Sequence, residues 1–559
     1  MTPRVAKWSF LPFLAIVGLA FGLRIAGVDF GLPLAEARPD EQTIAYQAMK
    51  FGRGDLNPHS FNYPSLFKYI VFGLFGADFA IGRVLGRFAG QEDFLRSFFA
   101  AEPEFRLLMR LWSVVLGTAG VALLRWAPGK LWGAFFLAVS FLHVRDSHFG
   151  VTDTTMVTLI TAAVLLACGL QRGGSVKVAV WAGLVAGLAT STKYNAALLI
   201  IPLTAAAATA PGHRWKLAAL AWGAMGIGFL AGTPFAILDP IQFVTDFRYE
   251  LGHLAQGHHI DVGVGWSHHA LVTLPDALGW PLYVIGALAL VMSLVANPRL
   301  SLVLFSFPLV YFLAIGRGHT AFYRYMLPVL PFLCIAAGAF LEALRGRLGA
   351  RAAMVVASLL ALPTAYRALH ADRLFLAGDT RVAMGEWIEA NVATQSRIVH
   401  AGAYTGAPML QRNVPNQTRE HAARQGRADA GGFRNPDELK WYQTERPMYD
   451  VQFVAKEGID YASTLTVAQV LAAPPELLEI ESSGLRFYSA VPAEIEALAL
   501  DRYTLVHEER AGESAANSTW DQQDALYLPS DGLEGYSRMG PSLRLYRLKP
   551  SAQPSAAQP

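Results

Sequence analysis

The chain has 559 residues, of which 53% are hydrophobic and only 16% are charged, with a formal net charge of +3. A soluble domain typically carries about 25% charged residues, so much of this surface is expected to face lipid. The small net charge and the lack of a basic tract argue against a nucleic-acid partner. Two cysteines inside apolar stretches do not indicate a disulfide framework.

The first apolar run, 8–28, follows Arg4 and Lys7. It is long enough to cross a bilayer, which takes about 20 apolar residues, and it predicts a signal-anchor helix rather than a cleaved leader. Further apolar runs lie at 105–124, 129–144, 151–170, 176–191, 194–210, 215–235, 277–296, 300–315, 324–342 and 352–369. The sequence therefore predicts a polytopic α-helical membrane protein with about eleven transmembrane helices.

The stretch 66–81 is also apolar, but Lys68 and Asp78 interrupt it. A helix with this pattern is expected to lie along the membrane interface, among other interfacial helices in 29–104. A fully spanning helix is the alternative.

Basic residues occur in every second short loop, which predicts a cytoplasmic N-terminus. They are Arg4, Lys7, Arg125, Lys130, Arg172, Lys177, Arg214, Lys216, Arg299, Arg345, Arg347 and Arg351. The long polar segments 29–104, 236–276 and 370–559 then lie on the non-cytoplasmic side.

The C-terminal region loses the long apolar runs and gains charged and aromatic residues. Residues 1–370 are thus predicted to form the transmembrane domain, 371–550 a non-cytoplasmic α/β domain, and 551–559 a disordered tail. Strand-like stretches at 397–400, 485–488 and 542–548 alternate with helix-like stretches at 380–391 and 492–500.

Ionisable side chains beside membrane helices are costly, about 2.5–3.5 kcal/mol at mid-helix, and therefore indicate function. Pro39 can begin a helix, which places Asp40 and Glu41 in the first turn, where the helix dipole favours acids. Capping of an interfacial helix would explain this pair. A carboxylate near a low-dielectric boundary can also act as a general base.

Further polar groups fall on the same predicted side of the membrane. Asn62 and Tyr63 precede a Pro-Ser turn, which could line an acceptor groove or anchor the chain at the interface. Arg145 and His148 lead into Asp153, which begins a predicted span and is either a cap or part of a site. The number of polar side chains between Arg145 and Asp153 exceeds what a short loop needs.

Cations suited to a phosphate share that side. Lys193 lies in a tight turn with small hydroxyl side chains, and Arg324 follows Tyr323 at the start of a predicted span. Snorkelling or interfacial anchoring is the alternative for both cations. His258 belongs to a histidine-rich loop whose spacing matches no compact metal motif, so donation to a phosphate is favoured over a metal site.

Together these motifs resemble those of the membrane glycosyltransferases of the GT-C fold, which use a polyprenyl- or dolichyl-phosphate sugar. Within that group, the chain looks like the protein O-mannosyltransferase-like family (glycosyltransferase family 39) and the bacterial lipid A aminoarabinose transferases. The resemblance covers about residues 8–370 in layout. Asp40-Glu41 is similar to the acidic motif of the first external loop, Asn62-Tyr63-Pro64 to the aromatic-proline motif, Asp153 to the second acidic site, Thr192-Lys193 to the Thr-Lys turn, and Arg324-Tyr325-Met326-Leu327-Pro328 to the arginine motif.

The resemblance implies inverting transfer of a sugar from a lipid phosphate to an acceptor hydroxyl, with no metal and no other cofactor. It implies that Asp40 takes the acceptor proton, that Glu41 orients the acceptor or holds the surroundings of Asp40, and that Asp153 binds a hydroxyl. The implied donor phosphate and lipid ligands are Lys193, Arg324, His258 and Tyr323, and the implied acceptor or sugar ligands are Asn62, Tyr63, Arg145 and His148.

The implied partners are a polyprenyl- or dolichyl-phosphate sugar, a glycan, lipid or protein acceptor, and membrane lipids. The implied location is the bacterial inner membrane, with the active site and the C-terminal domain non-cytoplasmic. A transporter or flippase of lipid-linked intermediates stays open, although it would place ionisable groups near the bilayer midplane, often within repeats. A non-catalytic envelope scaffold is the third possibility, and it would not need Asp40 or Lys193.

Overall fold

A computed structural model describes the fold. The described residues are 10–100, 103–257, 260–418, 446–454, 464–485, 489, 491–522 and 525–550. Helices dominate the described chain as far as Leu376, and the strands begin at Arg397.

The N-terminal part is built from α-helices whose apolar side chains share one continuous buried core. The helices are α1 Phe10–Ile25, α2 Pro39–Lys50, α3 Leu66–Val84, α4 Gln91–Phe99, α5 Pro103–Leu123, α6 Lys130–Val139, α7 Phe141–Asp146, α8 Thr152–Gly173, α9 Val176–Thr192, α10 Ile200–Thr209, α11 Arg214–Gly232, α12 Phe235–Leu238, α13 Pro240–Gln256, α14 Gly265–His268, α15 Leu274–Leu278, α16 Trp280–Ala296, α17 Pro298–Ile315 and α18 Leu330–Leu376. Short 3-10 segments, Tyr194–Leu199 and Tyr323–Val329, lead into α10 and α18.

Among the described residues, five helical stretches are long and apolar enough to cross a membrane. They are Pro103–Trp126, Thr152–Gly173, Arg214–Gly232, Pro298–Ile315 and Tyr323–Leu376. Counting the bent pair Gly265–Leu278 and Trp280–Ala296, which meets at 115°, as one span brings the number to six. Shorter apolar helices, α1, α6, α9 and the stretch Tyr194–Thr209, coincide with further predicted runs. The predicted apolar runs are therefore helical, whereas the number of spans stays a prediction.

Helix α18 contains most of the predicted span 324–342, which begins in the preceding 3-10 segment, and all of the predicted span 352–369. Gly349 breaks the helix between them, because its backbone has φ 85° and ψ 169°. Glycine adopts a positive φ without the steric cost that a Cβ atom would bring. The basic loop predicted between these spans is therefore a sharp kink rather than a separate coil.

Helix α3 corresponds to the interrupted apolar stretch at 66–81. It is not among the spanning candidates found in the described part of the chain, and Lys68, Asp78 and Arg83 lie along it. Its position along the membrane interface stays a prediction.

The C-terminal part is a mixed sheet with helices beside it. Its strands are β1 Arg397–Ala401, β2 Gln411–Arg412, β3 Met448–Val454, β4 Thr464–Leu465, β5 Leu477–Ser482, β6 Tyr503–Glu509 and β7 Ser542–Leu548, and its helices are α19 Thr380–Asn391, α20 Val467–Ala472 and α21 Ala493–Arg502. The strand order is β2-β3-β1-β5-β7-β6, with β4 beside β3. Pairs involving β7 are antiparallel, and the others are parallel.

These elements confirm the predicted α/β character of the C-terminal region. The helix predicted at 380–391 and the strand predicted at 542–548 have the observed bounds of α19 and β7. The strand predicted at 397–400 and the helix predicted at 492–500 coincide with β1 and α21 to within a residue or two. Most of the strand predicted at 485–488, and the whole tail 551–559, lie outside the described residues.

A buried ionic cluster lies between β1 and β5. His400 contacts the carboxylate of Glu479 through Nδ1, and its Nε2 lies 3.5 Å from Oε2 of Glu481 and 3.0 Å from the Ala403 carbonyl oxygen. All three ionisable side chains are fully buried. Burial alone would lower the pKa of His400, but the adjacent Glu479 and Glu481 carboxylates raise it to about 10.

We expect this cluster to make the C-terminal sheet less stable at alkaline pH. The pKa of His400 is raised above its unfolded value of about 6.5, so its stabilising contribution is complete below that pH and is lost as the pH rises towards about 10. The slope should approach 1.4 kcal/mol per pH unit. Hydrogen exchange of β1 and β5 in the full chain, corrected for intrinsic rates, measures this between pH 7 and 9.

His507→Gln is the matched control, because His507 lies on β6, is partly exposed and pairs only with Glu509 among the carboxylates of the described residues. This variant should keep the wild-type slope. A sheet that is equally stable at pH 7 and pH 9 would contradict the assignment of a protonated His400.

Candidate active site

The acidic pair at the start of α2 points in two directions. Pro39 occupies the first helical position, and Asp40 and Glu41 lie in the first turn, as predicted. The side chain of Asp40 is 25% exposed, whereas that of Glu41 is fully buried. The two carboxylates therefore have different surroundings.

Glu41 is bound inside the helix bundle by Arg110 of α5. Arg110 Nε donates to Glu41 Oε1 at 2.9 Å, and Arg110 Nη2 donates to Oε2 at 2.9 Å. The Gly150 amide adds a hydrogen bond of 2.8 Å to Oε1. Arg110 Nη1 also donates to the carbonyl oxygens of Val28 and Phe30. Of the two roles considered for Glu41, these contacts favour holding the surroundings of Asp40 over orienting an acceptor.

Asp40 faces two arginines. Arg324 Nη1 donates to Asp40 Oδ2 at 3.3 Å, and Arg38 Nη2 lies 3.7 Å from the same oxygen. Arg324 comes from the 3-10 segment Tyr323–Val329, far along the chain, and both guanidinium groups are buried. The Arg324–Asp40 ion pair thus joins the start of α2 to the 3-10 segment that leads into α18.

A second ion pair lies beside the first. Lys193, which caps the C-terminus of α9, donates to Asp153 Oδ1 at 2.7 Å. Asp153 lies in the first turn of α8, and both side chains are largely buried. Electrostatic interactions link Asp153 to Arg324 and Tyr63, which also interact with Asp40. The four charged residues predicted from separate motifs therefore form one cluster.

Aromatic side chains border this cluster. The ammonium group of Lys193 lies 5.4 Å from the ring centroid of Tyr325 and 5.9 Å from that of Tyr63. Burial raises the pKa of Tyr63, and the neighbouring Asp40 raises it further, so this hydroxyl remains protonated and can donate a hydrogen bond. Asn62, beside it in sequence, is partly buried.

The loop that presents Asn62 and Tyr63 is fixed by neighbouring backbone contacts. The Phe61 amide donates to Asp246 of α13 at 2.7 Å, and the Tyr194 hydroxyl donates to the Phe61 carbonyl oxygen at 2.8 Å. Lys68 donates to the Ser60 carbonyl oxygen at 2.6 Å. These bonds hold the aromatic-proline turn beside the ion pairs.

Helix α13 brings another carboxylate towards the cations. Burial raises the pKa of Glu250, whereas the nearby charges of Lys193 and Arg324 lower it. Glu250 was not selected from the sequence, because α13 has no motif that distinguishes this acid from its neighbours. Only the packing of α13 against the loop at Phe61 brings it close.

A small polar pocket adjoins Asp40. It is lined by Arg38, Arg145, Asp146, Phe149, Arg324, Asp521 and Leu526. Arg145 donates through Nε to Asp146 at 2.9 Å and through Nη2 to Asp521 at 3.5 Å. The predicted ligand Arg145 is therefore close to the acid cluster, together with Arg38 and Asp521, which the prediction did not include.

Two predicted ligands have side chains whose polar atoms are bonded to other groups of the protein. His148 is fully buried, and its ring nitrogens lie 2.9 Å from the carbonyl oxygens of Val144 and Ala26. The Tyr323 hydroxyl is also buried and donates to Asp276 at 2.7 Å. Both side chains are thus engaged within the protein, which favours structural roles over binding of acceptor or lipid. His258 lies outside the described residues.

The part of the chain that the structure describes contains no candidate metal site. No group of three or more histidine, cysteine, aspartate or glutamate side chains there is arranged to hold a metal ion. The absence of a metal requirement stays a prediction.

The chain is similar to known proteins in its structure, whereas comparisons of its sequence found no match. No protein-family model matches the chain, and no curated sequence matches it significantly. ArnT from Cupriavidus metallidurans bound to undecaprenyl phosphate aligns with TM-score 0.51 and 13% identity over 98% of this chain and 99% of that chain. The same protein in the apo state aligns with TM-score 0.50 and 13% identity over 99% of this chain and 100% of that chain. The predicted fold class is confirmed, because the helical part and the C-terminal α/β part together have the GT-C fold of ArnT.

Proposed function

We propose that this chain of the GT-C fold transfers a sugar from a lipid-phosphate carrier to an acceptor hydroxyl on the non-cytoplasmic face of the membrane. One observation carries the proposal. The partly exposed carboxylate of Asp40 lies 3.3 Å from Arg324 and beside the Lys193–Asp153 pair, at one end of the helix bundle. An acid and two cations are thus close enough to act on one bound donor.

Asp40 would act as the general base. The acceptor oxygen forms a bond to the anomeric carbon while Asp40 takes the hydroxyl proton. The bond between the anomeric carbon and the phosphate oxygen breaks at the opposite side, which inverts the configuration. The bonding electron pair leaves with the phosphate. The partial exposure of Asp40 suits this role, because the acceptor must reach its oxygen.

Lys193 and Arg324 would stabilise the phosphate as its charge increases. Arg324 and Lys193 are now paired with Asp40 and Asp153, and a bound phosphate would share these cations. Preorganised donors of this kind contribute about 10²–10³-fold in rate each. A leaving monophosphate held by two cations needs no metal ion in this scheme.

Asp153 and Tyr63 would contact sugar or acceptor hydroxyls beside the reacting bond. Tyr63 can donate from its protonated hydroxyl, and Asp153 can accept. ArnT bound to undecaprenyl phosphate has the same fold, which supports a polyprenyl phosphate as the carrier lipid. We place the protein in the bacterial inner membrane, with its C-terminal domain on the same side as the cluster.

Deletion of the gene, followed by mass spectrometry of the envelope glycans and lipids, tests this function. One glycan or lipid should lose one sugar, and the wild-type gene should restore it. The mass difference identifies the sugar, and the molecule affected identifies the acceptor. An unchanged set of glycans and lipids would contradict the proposal and favour a scaffold.

A further inference from the structure

A short segment of the C-terminal domain, Thr519 to Gln522, contacts the helical part of the protein. Thr519 donates to Asp276 at 2.9 Å. Gln522 accepts from the Ala321 amide at 2.6 Å and donates to the Ile260 carbonyl oxygen at 2.6 Å. These contacts join the α/β domain to α15, to the segment at Ile260 and to the segment that precedes α18.

Asp521 lies at the centre of this contact, next to the polar pocket. Its Oδ1 accepts from the Tyr323 amide at 3.2 Å, and its Oδ2 lies 3.5 Å from Arg145 Nη2. The side chain is buried. It is therefore the carboxylate through which the C-terminal domain borders the pocket that also contains Arg324.

We propose that Asp521 is a positioning residue for the acceptor side of the active site, acting through Arg145 and through the backbone that carries Arg324. This inference rests on the proposed function. The residue belongs to the C-terminal domain, so the site is complete only when that domain is docked.

The charge balance explains how Asp521 acts. Arg145 lies between Asp146 and Asp521, which fix its guanidinium from two sides. Charge-assisted hydrogen bonds of this kind are stronger and more directional than neutral ones. Without the Asp521 charge, Arg145 loses one of the two carboxylates that hold it at the pocket, and its position there is less defined.

The backbone contact has a second consequence. The amide that Asp521 accepts from belongs to Tyr323, directly before Arg324. The hydrogen bond fixes the beginning of the 3-10 segment and hence the direction of the Arg324 side chain. An asparagine keeps an oxygen for this amide but loses the charge, so the two effects of Asp521 can be separated.

The test compares Asp521→Asn, Asp521→Glu and Asp531→Asn in the full-length protein. Asp531 also lies in the contact between the domains, where it pairs with Arg367, but it does not border the pocket. The Asp531→Asn variant therefore reports any effect of weakening the contact between the two domains in general. The measurements are kcat and the KM of the acceptor identified by gene deletion, together with hydrogen exchange of residues 319–325.

Asp521→Asn should raise the acceptor KM about tenfold, which corresponds to loss of roughly 1.4 kcal/mol, and change kcat less than about threefold. Asp521→Glu should recover most of the loss because it restores the charge. Asp531→Asn should keep the wild-type KM. An unchanged KM in Asp521→Asn, or an equal rise in Asp531→Asn, would overturn the inference.

Failure of the proposed function has a different signature. A wild-type protein that transfers no sugar would refute the function, and hydrogen exchange would then decide the positioning role. Asp521→Ala should speed exchange of the Tyr323 amide, and Asp531→Asn should not. Equal exchange of that amide in wild type and Asp521→Ala would overturn the positioning role by itself.

Discussion

Replacing Asp40 with asparagine should lower the rate of sugar transfer by about 10²–10⁴-fold, the range expected for loss of a general base. Asparagine has nearly the same shape and can still accept a hydrogen bond from Arg324, so the fold and donor binding should be preserved. The acceptor proton, however, no longer has a carboxylate to receive it. The turnover of the purified variant, measured with the donor identified by gene deletion, gives the result.

Asp55→Asn is the matched control for this experiment. Asp55 lies in the loop after α2, and its side chain is 61% exposed and pairs only with the equally exposed His59 among the described basic residues. Exposed pairs contribute about 0–1 kcal/mol, so this variant should turn over like the wild type. Wild-type turnover by folded Asp40→Asn would remove Asp40 from the mechanism.

The second large effect concerns stability. Replacing Glu41 with leucine should destabilise the protein by about 3–5 kcal/mol, because it leaves the Arg110 guanidinium buried without its carboxylate. Globular proteins are typically stable by only about 5–15 kcal/mol, so much of the protein should fail to fold. The yield of monodisperse protein in detergent and its thermal unfolding midpoint measure the loss.

Glu92→Ala is the control for stability. Glu92 pairs with Arg96 on the surface of α4, where both side chains are more than 60% exposed. Its loss should cost no more than about 1 kcal/mol. The double variant Glu41→Leu with Arg110→Met should recover much of the stability, because it removes both charges. A Glu41→Leu protein as stable as Glu92→Ala would contradict a structural role for the Glu41–Arg110 pair.

The convergence of Asp40, Asp153, Lys193 and Arg324 could be predicted from sequence. Asp153, Lys193 and Arg324 lie at or beside the ends of apolar runs, and Asp40 lies in the polar segment 29–104 that follows the first run. The alternation of basic loops assigns all four residues to one side of the membrane. Packing brings helix ends on one side of a bundle near one another, so the assignment of these residues to one side predicted that they could meet. The helix starting at Pro39 and the bounds of α19 and β7 were predicted for equally local reasons.

The partners of these residues could not be predicted in the same way. Arg110 lies inside an apolar helix, and its pairing with Glu41 depends on how α5 rotates against α2. Asp521 is one acid among many in a polar domain, and its place beside Arg145 depends on how that domain docks. His148 was predicted as a ligand but is engaged inside the protein. Its polar sequence motif gave no indication that its ring would turn inward to the Ala26 carbonyl oxygen.

The most direct measurement of the central claim is equilibrium binding of undecaprenyl phosphate to the purified protein by native mass spectrometry. This lipid is the leaving group of every sugar donor built on undecaprenyl phosphate, so the test does not require the identity of the sugar. The proposed mechanism predicts saturable one-to-one binding to the wild type and to the control Arg317→Met, which alters an exposed cation in the turn before Arg324. It predicts binding at least about 100-fold weaker when Lys193 and Arg324 are both replaced with methionine, because two hydrogen bonds to a charged phosphate are lost. Equal binding by the wild type and this double variant would contradict it.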